Sequence, residues 1–201
     1  MKGLTRAVLI EAGLKLLDEV GLDGLTVRKL AAELGVQSPA LYWHIRTKQE
    51  LLDGMANEII VRAGMGPPRP DESWQEWLVR RARSYRASLL ASRDGARVVS
   101  GAVRGGDSVR HFEQELAAMV ERGFTPAQAL RTITVLSHYI NGHVLQEQAV
   151  SATAAERGER PELSELPTLA AALRSGSPIG DEVFEYGLVT LIKGTESLLR
   201  S

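Results

Sequence analysis

Three observations on the 201-residue chain predict an all-α fold. Apolar residues recur every three or four positions over most of it, and no segment of any length has the period of two that a half-buried strand requires. Capping signatures, a hydroxyl followed three residues later by a carboxylate or amide, occur at Thr47–Glu50, Ser73–Glu76 and Thr125–Gln128. Apolar residues make up 44% of the chain and aromatic ones only 5%, which suits Ala/Leu-rich helices packed on one another.

The first helix is predicted over residues 5–20, with Val8, Ala12, Leu16 and Val20 as its buried stripe. Gly21 stops it and Gly24 shapes the turn that follows. Residues 26–48 then carry the most specific pattern in the chain. Val27, Leu30, Ala31 and Leu34 give a short helix one apolar face, and Gly35 ends it by taking the left-handed conformation of a helix stop. Ser38 reads as the N-cap of a second short helix, with Pro39 at its first position, where a missing N–H costs nothing. Leu41 and Ile45 face inward. Ala40, Tyr42, Trp43, His44 and Lys48 are left outside, and two large exposed aromatics suit a face that meets a partner. Helix, glycine turn and exposed second helix form the pattern of a helix-turn-helix whose second helix enters the DNA major groove.

A fourth helix is predicted from Thr47 to about Ala63. Gly64-Met-Gly-Pro-Pro-Arg-Pro70 cannot continue it and is the best domain boundary. This divides the chain into a DNA-binding domain at 1–47, a connecting helix at 48–66 and a helical ligand-binding and dimerisation domain at 67–201. Within the last, helices are expected behind Ser73, at 93–100, at 108–122 with a stop at Gly123, and from 125 to about 150. Residues 151–167 read as a long mobile loop. A short helix near 168–174 and a last helix capped by Asp181 follow. That helix carries Phe184, Leu188, Leu191, Ile192, Leu198 and Leu199, an apolar surface wide for one packing partner.

Several function classes are disfavoured. With no cysteine there is no disulfide framework and no thiolate site. His138 and His143 are five apart, off the same-face helical spacings, so neither a metal site nor a cofactor is expected. The glycines of 100–107 lack the Gly-Lys-Ser/Thr ending of a phosphate loop, and no catalytic triad or nucleophile elbow is present; an enzyme is not expected. No apolar run approaches about 18 residues and no signal peptide is read, so a cytoplasmic protein without membrane contact is expected. The net charge of −1 gives no bulk attraction to nucleic acid. Positive charge is local instead: Arg28, Lys29, Arg46 and Lys48 are set against Glu33 alone within the motif.

Leu25-Thr-Val-Arg-Lys-Leu-Ala-Ala-Glu-Leu-Gly-Val36, Ala40-Leu-Tyr-Trp-His-Ile45 and Lys48 resemble the tetracycline repressor (TetR) family of transcriptional regulators. Glu72-Ser-Trp-Gln75, Arg93-Asp-Gly-Ala96, Gly123-Phe124, Ser137-His138 and Val144-Leu145 are similar to the tetracycline-binding members of that family. The resemblance implies a homodimeric repressor, joined through the last helix and the helix of 125–150. It would be released from a double-stranded, palindromic operator by a small-molecule effector. Arg28 and Gln37 would lie near base edges or phosphates, Ser38 beside them, and Pro39 and Ala40 against a thymine methyl. Thr26, Tyr42, His44 and Lys48 would contact phosphates. Trp43 has two placements open to it, under the helix or against the DNA backbone.

The family's effector pocket maps onto Arg81, Tyr85, Val99, Val103, Phe112, Glu115, Leu116, Ile133, His138, Asn141 and Gln146. Tetracycline-binding members hold a magnesium chelate through a His, a Thr and a Glu, and those positions are Val99, Ala102 and Gln146 here. Valine cannot coordinate a hard cation, so the expected effector is not magnesium-tetracycline. Two states of Arg81 remain open: aimed at a ligand, or paired with Glu115. The second would suit a constitutive DNA-binding dimer with no inducer pocket.

Overall fold

A computed structural model describes residues 3–103, 105, 107–153, 163 and 165–200. These residues form helices and no strand. The N-terminal part comprises α1 (Arg6–Gly24), α2 (Val27–Glu33), α3 (Ser38–Leu41) and α4 (Lys48–Arg62). After it come α5 (Trp74–Leu90), α6 (Gly95–Ser100), α7 (Asp107–Val120), α8 (Pro126–Thr153), α9 (Pro167–Ser175) and α10 (Asp181–Arg200).

Helix α1 buries a different stripe from the one expected. Leu9, Gly13, Leu16 and Leu17 face the core, whereas Val8, Ala12 and Val20 are half-buried. A strict spacing of four drifts about 40° per step around a helix, so four such residues cannot share one narrow face; the i, i+4, i+7, i+8 set can. Gly21 leaves the helical conformation (φ 70°, ψ 172°) and stops the first stretch where expected, and one further turn follows it to Gly24.

The α2–α3 unit forms as a helix, a turn at Gly35 (φ 66°) and a second, very short helix. The N-cap of α3 is Gln37, not Ser38, and Pro39 is its second residue rather than its first. Ala40 N donates to Gln37 O at 2.9 Å, an i+3 bond that closes the turn one residue early. His44 N and Ile45 N both donate to Leu41 O, extending the curl of the chain to Ile45.

All three capping hydroxyls accept from the backbone three residues on. The boxes at Ser73–Glu76 and Thr125–Gln128 are closed from both sides. At Thr47 the return bond goes elsewhere: Glu50 Oε2 accepts from Arg46 N at 2.8 Å, tying the segment that follows α3 to α4. Asp181 lies inside the first turn of α10, where Phe184 N donates to Gly180 O. Residues 151–153 belong to α8, while most of the expected loop of 151–167 lies outside the described residues.

The buried side chains form one continuous core. Leu9, Leu17, Leu25, Leu30, Leu41, Ile45 and Met55 close the N-terminal part; Trp77, Leu78, Leu89, Ile133, Ile140, Val144, Phe184 and Leu188 fill the C-terminal part. The linker after α4 is anchored on α5: Trp77 Nε1 donates to Gly66 O, and Arg80 to Met65 O, Pro67 O and Glu72.

Candidate DNA-contacting surface and ligand chamber

The chain curls of α2 and α3 leave a polar and aromatic surface over a fully buried Leu41 and Ile45. Arg28, Lys29, Gln37, Pro39 and Lys48 are exposed, and Ser38, Ala40 and His44 are half-buried. Tyr42 is 52% and Trp43 88% exposed, so Trp43 does not pack beneath its helix. The Thr26 hydroxyl, at the start of α2, accepts from Lys29 N at 3.2 Å and serves as its cap. Glu33, the lone carboxylate of the motif, is taken up by Lys15 at 2.7 Å, which leaves the four cations of the segment as its outward charge.

A second constellation sits between α5, α7 and α8. Arg81 and Glu115, 5% and 8% exposed, form a two-pronged pair, Nε to Oε1 and Nη2 to Oε2, both at 2.8 Å. Arg81 Nη1 is buried and has no partner among the described residues. Tyr85 lies one turn further along α5; Asn141 Nδ2 donates to its hydroxyl at 3.3 Å, while Asn141 Oδ1 is buried without a partner among the described residues. Arg81, Tyr85, Phe112, Glu115, Ser108 and Ser137 enclose a chamber of ≈ 40 Å³, room for a few water molecules. It shares Ile60, Met65, His111 and Glu115 with a cavity of ≈ 340 Å³ under the Gly64–Pro67 linker. On the other side it shares Phe112 and Ser137 with an open cleft of ≈ 500 Å³. Val99, Ile133, His138, Asn141 and Leu145 line that cleft.

The expected pocket residues therefore fall into two groups bridged by Phe112, and three of them lie on no wall. Val103 is 73% exposed, because its backbone N–H is drawn to Asp53 Oδ1 at 3.0 Å. Gln146 is exposed and Leu116 half-buried; each is one helical step of about 100° from a neighbour that does line a wall, Leu145 and Glu115. Sequence reasoning missed Ser137 while selecting His138. The i+4 phase from Ile133 was the signal, since it puts Ser137 inside and His138 at an exposed rim. Among the described residues no group of three or more His, Cys, Asp or Glu side chains is placed to hold a metal ion.

Helix α6 joins the two parts of the molecule. At its start Asp94 adopts φ 57°, and its Oδ2 accepts from Leu22 N at 2.8 Å. Arg93 N donates to Asp18, and Arg97 clasps Asp23 and Asp94. The Arg97 guanidinium holds the Asp23 carboxyl below its ordinary pKa. At the far end Gln49 Nε2 donates to Gly101 O at 3.1 Å, and Asp53 takes Val103 N. Between these ties Val99 presents a wall to the cleft. One short helix thus touches α1, α4 and the cavity.

Comparison with known proteins matches these two parts. Residues 9–55 fit the family model for bacterial regulatory proteins of the tetR family, and residues 67–199 that for the tetracyclin repressor-like C-terminal domain. The chain is 42% identical over 197 residues to the class A tetracycline repressor from transposon 1721 of Escherichia coli, covering 96% of this chain and 91% of the relative. A TetR variant from Acinetobacter baumannii AYE, solved in complex with minocycline, superposes with a TM-score of 0.83 at 37% identity; the match covers 98% of this chain and 96% of that one. The class A protein in complex with 5a,6-anhydrotetracycline and magnesium gives 0.76 at 35% identity, over 96% and 99%. On the identity and coverage of these matches, the chain belongs to the TetR family of bacterial transcriptional regulators.

Proposed function

We propose that the protein is a homodimeric repressor whose hold on a palindromic operator is weakened by a small, metal-free ligand in the C-terminal domain. Residues 1–47 bind DNA, 48–66 connect, and 67–201 bind ligand and dimerise. The observation that carries this reading is the double anchorage of α6, to α1 at Asp94 and Arg97 and to α4 at Gly101 and Val103, with Val99 on the cleft wall between. A ligand that displaces this wall strains both ties and moves the DNA-facing segment that Glu50 fastens to α4. It can shift the equilibrium only by its difference in affinity for the two states. A hundredfold release needs about 2.8 kcal/mol, two tenfold steps of about 1.4 kcal/mol.

The dimer is supported by apolar side chains left exposed on one protomer: Tyr186, Val189 and Leu198 on α10, and Leu130 and Val135 on α8. Two DNA-facing segments would then reach successive major grooves about 34–36 Å apart. The magnesium held by the class A relative does not fit here. The cleft wall carries His138 with serine, threonine and asparagine but no carboxylate, Val99 and Ala102 offer no donor, and Gln146 lies off the wall.

A second reading has one observation behind it. The Arg81–Glu115 pair is closed and the chamber beside it is narrow, as a constitutive DNA-binding dimer would have it. Against it stands the unpartnered Nη1 of the same arginine.

The test is operator selection from random duplexes, followed by anisotropy titration. Two inverted half-sites are expected. Arg28→Ala should relax sequence preference and Lys48→Ala should weaken all duplexes alike, since phosphate contacts position without reading sequence. Equal losses on operator and random DNA for both variants would refute that division of roles.

A further inference from the structure

The chemical class of the ligand follows from two buried atoms, and the inference rests on the ligand-responsive reading above. Arg81 Nη1 is a donor and Asn141 Oδ1 an acceptor; both are shielded from solvent and neither has a partner among the described residues. Protein interiors rarely leave such groups unpaired, so each marks a place where something else completes the bond. Tyr85 connects them, one helical turn from Arg81 and hydrogen-bonded to Asn141, so a single small molecule spans both.

The charge balance narrows the choice. Glu115 already meets the guanidinium with both oxygens, so the pair is neutral. An anion on Nη1 would be desolvated and would lie beside the Glu115 carboxylate with no surplus positive charge to offset either cost. A carbonyl oxygen accepts the same hydrogen bond without that penalty, and a hydroxyl supplies the donor that Asn141 Oδ1 lacks. The walls between are Val99, Phe112 and Ile133. We propose that the site takes an uncharged aryl ketone bearing a hydroxyl, bound without metal, its carbonyl on Arg81 Nη1 and its hydroxyl on Asn141 Oδ1.

The test is calorimetric titration of the full-length protein in EDTA with four probes of one size. They are 4-hydroxybenzophenone, 4-benzylphenol (no carbonyl), benzophenone (no hydroxyl) and the anion 4-benzoylbenzoate. Tetracycline with magnesium, in buffer without EDTA, is the fifth. 4-Hydroxybenzophenone should bind roughly tenfold tighter than either single-deletion probe and tighter than the anion. In Arg81→Met/Glu115→Leu, an ion pair exchanged for apolar bulk, its advantage over 4-benzylphenol should vanish while 4-benzylphenol still binds. Asn141→Leu should remove its advantage over benzophenone and leave the carbonyl effect in place. Equal affinity for the first three probes overturns the inference. Preference for the anion or for magnesium-tetracycline also overturns it and leaves the ligand-responsive reading standing. Binding of none of the five overturns both.

Discussion

Gly95 opens α6 where there is no room for a methyl group: a Cβ there would meet the Leu89 carbonyl oxygen at 2.3 Å, backbone against backbone. Gly95→Ala is therefore expected to destabilise by about 1–3 kcal/mol, read as a lower urea midpoint, because neither partner can swing aside. The neighbouring Asp94, at φ 57°, holds its place through Leu22 N and Arg97. The Arg93-Asp-Gly-Ala96 run was visible in the sequence, but its role was not, since the bonds that define it reach back over 70 residues to α1. The same limit applies in the chamber. Sequence left Arg81 open between ligand and Glu115, and only the packing of α5 and α7 against the same helix, α8, brings the two side chains into their two-pronged bond. Val103 and Gln146 were misplaced for simpler reasons: Val103 falls beyond the end of α6, where its backbone is held by Asp53, and position in a motif does not fix which side of α8 Gln146 takes.

At the level of elements, the three hydroxyl caps at Thr47, Ser73 and Thr125 were the most legible feature, because such a cap is local chemistry, whereas α3 and α10 each begin one residue earlier than the expected cap implies. The buried stripe of α1 was not, since its phase is set by what α4 offers it, with Gly13 lying 3.0 Å from Met55 Sδ by its would-be Cβ. The α4–α5 linker shows how an element boundary is held. Arg80 grips Glu72 and draws its carboxyl from 4.5 to about 2. A carboxyl depressed in the folded state stabilises above its unfolded pKa and loses that contribution as pH falls through the folded one. The stability gap between wild type and Glu72→Gln should be largest near neutrality and shrink between about pH 4.5 and 2, followed by urea titrations at each pH. Helix α6 yields a second expectation at this scale. Asp53→Ala removes the tie to Val103 N, so ligand should still bind by calorimetry while its power to lower operator affinity falls.

For the whole molecule, the all-α class could be read from periodicity, and family comparison agrees with both the class and the likeness. The proposed dimer rests on the apolar breadth of the last helix. In the isolated protomer Val189 is 43% and Leu198 71% exposed. Val189→Asp is expected to give a monomer in sedimentation and to cost most of the operator affinity, because two half-sites are then bound separately rather than as one unit. The separation of labour along α6 has one more consequence. The residues that tie it, Asp94, Arg97, Gly101 and Val103, are not the residue that faces the cleft, Val99. Under the proposed function, recognition and transmission are thus assigned to different residues of α6 and its two flanks. Under that reading, new effectors are acquired by exchanging wall side chains while the ties of α6 to α1 and α4 stay as they are, and a biosensor chassis follows from that division.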